Sequence, residues 1–152
     1  MNLYSLYLES VLEKKENLQY FEKLFLDESF QEFLSSLNLN KNTGGIFGST
    51  YVVKRKINNE KVGFVSFGDR VEKNDCIATS LYYGVDRNYR GQKLGQLILN
   101  EVSQYLLETK LVNLIVVNVD KKNKYSIATI ENCKFVYQPD FSDDEDLQYH
   151  RK

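Results

Sequence analysis

Two cations and two glycines lie close together, just ahead of a run with apolar residues at helical spacing, in YRGQKLGQLILNEV, residues 89–102. The cations are Arg90 and Lys93, and the glycines are Gly91 and Gly95. The first turn of a helix leaves about four backbone N–H groups without partners and carries roughly half a positive charge. Glycine lets an anion approach the backbone, and the cations add charge beside it. The stretch therefore predicts a phosphate site, although a solvated turn would have a similar composition.

Two helices are predicted before this stretch, from the spacing of apolar residues. Apolar side chains recur at three- and four-residue steps over residues 8–25 and again over residues 29–37. An Asn- and Gly-rich segment, residues 38–45, ends the second helix. Residues 51–67 then predict a β-hairpin with a turn at Asn58–Asn59, and residues 76–85 predict a third antiparallel strand.

The rest of the chain predicts a strand reached through a helix. A helix is expected over about residues 91–107, followed by LIVVNV, residues 114–119, which is apolar on both faces. Such a short run is typical of a buried central strand in a parallel crossover. A helix over residues 123–132, a strand over 134–137, an acidic turn over 139–145 and a strand over 146–151 complete the prediction.

Composition restricts the class of protein. With 152 residues, 42% hydrophobic and 27% charged, the chain is expected to form a single domain, residues 1–152. Its 20 Lys and Arg against 21 Asp and Glu give a net charge of -1, which disfavours nucleic acid as a partner. No apolar run reaches the roughly 18 to 20 residues of a bilayer span, and the first ten residues lack the basic start of a signal peptide. We therefore expect a cytoplasmic protein that does not bind membranes.

The few cysteines and histidines argue against a metal site. Cys76 and Cys133 have no metal-like spacing and are expected to be small buried side chains, and His150 is the only histidine. A hydrolase with a catalytic histidine would depend on this one residue near the tail. No metal is predicted.

The glycine-containing stretch has a close family resemblance. Residues 85–99, VDRNYRGQKLGQLIL, resemble the acyl-CoA loop of the GNAT family of N-acetyltransferases, written Arg/Gln-x-x-Gly-x-Gly/Ala. Arg90 takes the first place and Gly95 the last, while Lys93 replaces the middle glycine. Neither a Gly-x-x-x-x-Gly-Lys-Ser/Thr nor a Gly-x-Gly-x-x-Gly motif is present, so other phosphate loops are disfavoured.

A second signature of the family follows in VVNVDKKNKYSIATIENCKF, residues 116–135. Asn123 and Ser126 take the places of the family's asparagine and small residue, Phe135 takes that of the phenylalanine, and Lys134 replaces the usual glycine. The resemblance covers about residue 47 to the end. It is looser over residues 1–45, where the family's first strand is not evident unless residues 3–7 supply it.

The resemblance implies an α+β (α/β) fold with a mixed central sheet, helices on both faces and splayed central strands. It implies an acyltransferase that transfers an acetyl group from acetyl-CoA directly to a primary amine, without a metal, and acts as a monomer or homodimer. The acceptor, a small molecule or a protein amine, stays open. A non-catalytic acyl-CoA-binding or regulatory domain is the alternative.

The resemblance also implies the binding residues. The pantetheine arm would pair with the backbone of the strand at residues 82–85, including Tyr83 and Val85, and a bulge at Gly84 would aim a backbone N–H at the thioester carbonyl. Asn123 would reach the pantetheine amides and Ser126 the arm or a phosphate, although Asn123 also suits an ordinary helix N-cap. The residues expected around the pyrophosphate are Arg90, Gly91, Gln92, Lys93, Leu94, Gly95 and Gln96.

The proton donors and acceptors are less defined. Many family members carry a tyrosine where this chain has Ile130, so Tyr125, or else Tyr137, is the candidate acid, and a CoA thiolate could also leave without one. No general base is assigned. Glu72, Asp75 and Asp86 are expected near the strand ends, where a base or a water relay would lie, or else as solvated charges. A separate acidic turn would attract a cationic amine or be a solvated hairpin tip; its residues are Asp140, Asp143, Asp144, Glu145 and Asp146.

Overall fold

The computed structural model describes residues 1–24 and 46–152, so the helix predicted over residues 29–37 lies outside the described residues. The described strands form one mixed sheet in the order β1-β2-β3-β5-β6-β8-β7, with β4 paired to β5. In chain order the elements are β1 (Leu6–Ser10), α1 (Lys15–Leu24), β2 (Thr50–Arg55), β3 (Lys61–Phe67), β4 (Val71–Lys73), β5 (Cys76–Val85), α2 (Leu94–Glu108), β6 (Leu114–Asp120), α3 (Lys124–Asn132), β7 (Val136–Tyr137) and β8 (Asp146–Arg151).

The prediction of a helix from residue 8 was wrong in its first part. Residues Leu6–Ser10 form β1, which pairs antiparallel with β2, and the helix begins only at Lys15. Leu6 and Leu8 are both fully buried, whereas Leu12 is 50% exposed. The apolar period here is two residues, and pairing with β2 satisfies the backbone, so the local pattern is that of a strand. β1 supplies the first strand that the sequence did not make evident.

The predicted meander is confirmed. β2 and β3 form an antiparallel hairpin, and Asn59 in its turn has a positive φ of 61°. β5 follows, antiparallel to β3. Its first residue, Cys76, is exposed, contrary to the prediction, because it follows the turn at the end of the sheet; Cys133 is buried as expected.

Helices cover both faces of the sheet, also as predicted. On one face, α2 buries Ile98, Leu99 and Val102 in a large apolar cluster with residues of the strands. On the other, Phe21 of α1 packs edge-on against Phe64 of β3, with ring centroids 5.4 Å apart. None of the helices in the described part of the chain is long and apolar enough to cross a bilayer.

A buried ion pair fastens α1 to the edge of the sheet. Glu9 of β1 and Lys54 of β2 are both buried, and the Lys54 Nζ lies 2.9 Å from the Glu9 Oε1. Asn17 of α1 donates its Nδ2–H to the same carboxylate oxygen at 2.7 Å. These hydrogen bonds, led by that of Asn17 and joined by those of Lys54 and Lys14, lower the pKa of Glu9 to about 2 against the opposing effect of burial.

Candidate active site

The two central strands separate to form a cleft. β5 and β6 are parallel, as predicted, but pair only over Ala78–Ser80 and Leu114–Val116. Beyond these residues the strands diverge and leave a cleft of about 470 Å³. The residues that line it are Phe64, Leu81, Tyr82, Tyr83, Val117, Asn118, Val119, Asp120, Asn123, Ser126, Ile130 and Asp146.

The backbone of β5 presents hydrogen-bonding groups to this cleft. Two hydrogen bonds, one at each end of the pairing between β3 and β5, show which way these groups point. The Ser80 carbonyl accepts from the Gly68 N–H, and the Asp86 N–H donates to the Val62 carbonyl, each at 2.8 Å. Backbone groups alternate in direction along an antiparallel strand, so the N–H and C=O of Tyr83 and Val85 point away from β3. The backbone groups of both residues therefore face the β6 side of β5, and Tyr83 also lines the cleft.

The predicted bulge at Gly84 is absent. β3 and β5 keep one register from Leu81 to Val85, with Gly84 opposite Phe64. By the same alternation, the N–H of Gly84 faces β3 and cannot serve the cleft. Glycine is required here for another reason: a Cβ atom on Gly84 would lie 2.3 Å from Cε1 of the Phe64 ring.

The loop between β5 and α2 is held by Asp86. This buried side chain accepts from the Asn88 N–H at 2.9 Å and from the Tyr20 hydroxyl at 2.7 Å. The hydrogen bond from Tyr20 links the loop to α1. Burial raises the pKa of Tyr20, and the hydrogen bond to Asp86 adds to this rise. Because Asp86 is buried and engaged, it does not suit the role of general base.

Backbone N–H groups converge at the start of α2. Gly91 and Lys93 both have positive φ, 83° and 58°, and the first helical bond is donated by Leu97 to the Lys93 carbonyl at 3.1 Å. The N–H groups of Leu94, Gly95 and Gln96 therefore precede the helical ladder. Lys93 occupies the left-handed conformation that explains the family's glycine at this place.

The side chains of this loop divide into exposed and buried ones. Arg90, Gln92 and Lys93 are exposed, and Leu94 is buried in the core. Gln92 accepts from Arg55 Nη2 at 3.1 Å. Arg55, which sequence patterns did not single out, brings a further cation to the loop from β2.

Gly95 lies at a close approach between helix and sheet. A Cβ atom here would be 3.4 Å from Tyr83 Cε2 and 3.5 Å from Val85 Cγ2. The residue is buried, so its place in the motif is explained by packing of α2 on β5, in addition to any contact of its N–H.

Asn123 and Ser126 both line the cleft, at the start of α3. The Asn123 side chain accepts from the Ser126 N–H at 3.1 Å and caps the helix. The ordinary N-cap role is therefore present, and it leaves the Asn123 Nδ2 and the Ser126 hydroxyl without a use in the cap.

The structure does not bring the predicted acid to the cleft. Tyr125 is 64% exposed, and Tyr137 on β7 packs against the Tyr149 ring at 5.6 Å. Neither lines the cleft, whereas Ile130 does.

A different tyrosine lies in the cleft wall. Tyr83 lines the cleft, and its hydroxyl oxygen is buried without a hydrogen-bond partner in the described part of the chain. Burial raises the pKa of Tyr83 to about 12. The nearby Ser126 opposes this rise, although its side chain makes no hydrogen bond with the Tyr83 hydroxyl. A buried hydroxyl without a partner is costly, and a ligand in the cleft would provide one. The sequence analysis gave Tyr83 a role only through its backbone and missed its side chain. Its position in the strand just before the glycine-containing loop was the signal that could have pointed to it.

Acidic side chains stand at the mouth of the cleft. Asp120 of β6 and Asp146 of β8 are directly opposite each other in the ladder, and both line the cleft. Asp120 also accepts from the Lys122 N–H at 2.8 Å. Asp143 caps its own turn, accepting from the N–H groups of Glu145 and Asp146 at 2.8 and 2.7 Å, which lowers its pKa. Glu72 is on β4 and pairs with Arg70, away from the cleft. Over residues 1–24 and 46–152, no three His, Cys, Asp or Glu side chains come together as metal ligands.

This fold and cleft define an acyltransferase of the GNAT class. The model of the acetyltransferase (GNAT) family matches residues 9–135, well over half of the chain. The protein belongs to this family. No curated protein matches the chain.

Solved structures share the fold at low sequence identity. The Campylobacter jejuni N-acetyltransferase PseH in complex with acetyl coenzyme A has a TM-score of 0.70 and 19% identity, over 97% of this chain and 98% of that one. The Vibrio cholerae spermidine/spermine N-acetyltransferase SpeG, in mutant forms, has a TM-score of 0.70 and 14% identity, over 97% and 93%. An Agrobacterium tumefaciens acetyltransferase has a TM-score of 0.75 and 14% identity, over 100% and 93%.

Proposed function

We propose that this protein transfers an acetyl group from acetyl-CoA directly to a primary amine. The observation that carries the proposal is the cleft between β5 and β6, on the side of β5 that the backbone groups of Tyr83 and Val85 face, together with the N–H groups that precede the helical ladder at the start of α2, the helix that follows β5. This arrangement offers one site for a diphosphate and another for an extended amide-containing arm. The complex of PseH with acetyl coenzyme A, a protein of the same fold, agrees with it.

The chain's residues divide the work of binding. The N–H groups of Leu94, Gly95 and Gln96 bind the pyrophosphate, with charge from Arg90 and Lys93. The C=O of Tyr83 and the N–H and C=O of Val85 pair with the pantetheine amides, as a neighbouring strand would, and the N–H of Tyr83 is left for the thioester.

Side chains on the cleft wall complete the contacts to the arm. Asn123, the N-cap of α3, and Ser126 in its first turn line the cleft and offer the arm a side-chain amide and a hydroxyl. The Tyr83 hydroxyl gains in this arm the hydrogen-bond partner that it lacks in the free protein. Its pKa of about 12 keeps it protonated at neutral pH, so it acts as a donor.

Positioning and backbone electrostatics supply the catalysis. The amine nitrogen attacks the thioester carbonyl carbon, the new C–N bond forms, and the N–H of Tyr83 replaces that of Gly84 as the donor to the developing oxyanion. One such donor contributes about 2.7 to 4 kcal/mol to lowering the barrier. The C–S bond then breaks and the sulfur leaves as a thiolate, which takes a proton from water, since Ile130 offers none and a thiol of pKa about 8.5 is a competent leaving group. The proton lost by the nitrogen also goes to water.

The acceptor side of the cleft carries negative charge. Asp120 and Asp146 face each other at its mouth, and like charges in directly opposite positions destabilise a sheet unless a cation lies near. A protonated amine would be drawn to this pair before it loses a proton and reacts.

Release of CoA tests the proposal. The purified chain is incubated with acetyl-CoA and a set of amines, including polyamines, amino acids and a lysine peptide, and free thiol is measured. Amine-dependent release above the rate without enzyme is expected for at least one acceptor. Tight CoA binding with no release across the set would favour the non-catalytic alternative, and no binding by calorimetry would contradict both.

A further inference from the structure

A second cavity, of about 370 Å³, lies along α2 on the side of the C-terminal end of α3 and the end of β8. Four of its residues share one stripe of α2 at four-residue steps. No residue lines both this cavity and the cleft. The residues that line it are Gln96, Asn100, Gln104, Leu107, Glu108, Asn132, Lys134 and Arg151.

Arg151 is a buried cation that forms no ion pair with a carboxylate of residues 1–24 or 46–152. It is 7% exposed, and its one described hydrogen bond is donated by Nη1 to the Asn100 Oδ1 at 3.0 Å. None of the ion pairs found among the described residues includes it. A guanidinium has five N–H donors, so most of its capacity is unused among the described residues, and the residue lines the cavity.

The nearest acidic side chain is already engaged. Glu108 accepts from the Tyr4 hydroxyl and from Gln104 Nε2, the latter at 2.7 Å. Burial lowers the pKa of Arg151, whereas Glu108 and Cys133 oppose that shift. Arginine nevertheless stays charged in proteins, and a buried charge is costly unless it is paired and hydrogen-bonded.

Lys134 brings a second cation to the same cavity. It is exposed and has a positive φ of 67°, a conformation that glycine adopts without cost. No hydrogen bond or ion pair of its side chain occurs within the described residues. Side-chain amides of Gln96, Gln104 and Asn132 also line the cavity, and that of Gln104 donates to Glu108 as well.

We propose that this cavity binds a small oxyanion, a carboxylate or phosphate, between Arg151 and Lys134. The guanidinium fork matches two oxygens of such a group, and the amides donate to the others. The cavity shares no lining residue with the proposed acetyl-CoA cleft, and Gln96 enters both proposals only through different groups, its backbone N–H at the pyrophosphate and its side chain here. The proposal does not depend on the transferase activity.

Side-chain amide signals in 15N NMR spectra test binding directly on the wild-type protein. The protein, saturated with CoA to fill the other phosphate site, is titrated with inorganic phosphate and, separately, with sodium acetate, against sodium chloride at equal ionic strength. Saturable shifts of the Gln104 and Asn132 side-chain amides and of Arg151 Nε–H, with a millimolar or lower Kd, are expected for at least one oxyanion. Comparison of the two titrations identifies the preferred one. Absence of saturable shifts for both, or equal shifts with chloride, would overturn the proposal.

Two lysines give a matched pair of variants. Lys134 and Lys110 are both exposed and both have positive φ, 67° and 58°, but only Lys134 lines the cavity. Lys134→Gly should weaken oxyanion binding several-fold, and Lys110→Gly should leave it unchanged. Arg151→Gln should weaken it by about tenfold or more, the loss expected for a charge-assisted contact. Equal affinities in all three variants would show that these cations do not form the site. If CoA-free protein binds phosphate there and CoA displaces it, the cavity belongs to the CoA site and the proposal is wrong.

Discussion

Gly84 shows how one residue can fit a motif for a reason other than the expected one. The resemblance suggested a bulge with its N–H in the cleft, but the residue is in regular pairing and makes room for the Phe64 ring. A sequence pattern records that glycine is needed and does not record which neighbour requires it. The Lys93 conformation is the converse case, since a positive φ is present without glycine.

Gly84→Ala is expected to destabilise the protein by about 1 to 3 kcal/mol, because the added methyl group would overlap the Phe64 ring. Urea unfolding measures the change. Phe64→Leu should reduce the cost of the second substitution in the double variant, and strictly additive effects would show that the two side chains do not interact.

Tyr83→Phe is expected to change stability and binding in opposite directions. Removing a buried hydroxyl without a partner should leave the free protein equally stable or more stable, by up to about 1 kcal/mol. The same change should weaken CoA binding by about tenfold, the loss of one ligand hydrogen bond. Thermal unfolding and calorimetry measure the two effects. The matched control is Tyr125→Phe, on an exposed side chain outside the cleft; equal CoA affinities in the two variants would contradict the contact.

At the scale of elements, prediction succeeded where the apolar period was long and failed where it was short. α2 and the central strand β6 each present a continuous pattern, and both were placed within a few residues. β1 has only five residues, and its Leu8 also fits the spacing of the helix that follows. Pairing with β2, residues 50–55, decides between the two, and no local pattern contains that partner.

The ion pair that joins β1, β2 and α1 predicts a dependence of stability on pH. Glu9 has a folded pKa of about 2, below its ordinary value of 4.5, so its contribution is fully present above pH 4.5 and is lost as the pH falls toward 2. Glu9→Gln is expected to lower the free energy of unfolding at pH 7 by about 3 kcal/mol, because Lys54 would be buried without its partner.

Unfolding in urea at several pH values measures this difference, which should shrink between pH 4.5 and pH 2. Glu22→Gln, on the exposed face of α1, is the control and should unfold like the wild type. A difference between wild type and Glu9→Gln that is constant over the whole range would exclude the carboxylate as its source.

For the whole molecule, the order of the elements from the hairpin onward was predictable except for the short strand β4, and the cleft was predictable only through the resemblance. The parallel crossover follows from LIVVNV, residues 114–119, and its preceding helix. Where β5 and β6 stop pairing does not follow from it, because Leu81 and Val117 are as apolar as the residues that pair. The mouth with Asp120 and Asp146 is likewise formed by strands distant in sequence.

Hydrogen exchange tests the cleft as a ligand site for the whole fold. In the free protein, the N–H groups of Tyr83 and Val85 should exchange faster than that of Gly84, which faces β3. Saturation with CoA should slow the first two, and at a ligand concentration of a hundred times Kd it should stabilise the fold by about 2.7 kcal/mol. Unchanged exchange at Tyr83 and Val85 in a protein that binds CoA would place the arm elsewhere.

The short contact between β5 and β6 has a mechanical consequence. Among the described strands, the two halves of the sheet are joined by direct pairing only between Ala78–Ser80 and Leu114–Val116. A ladder of three residues on each strand therefore connects them. A ligand whose amides pair with the backbone beyond this ladder would add hydrogen bonds across the gap for as long as it is bound. The sheet would then be most rigid when both halves contact the same molecule.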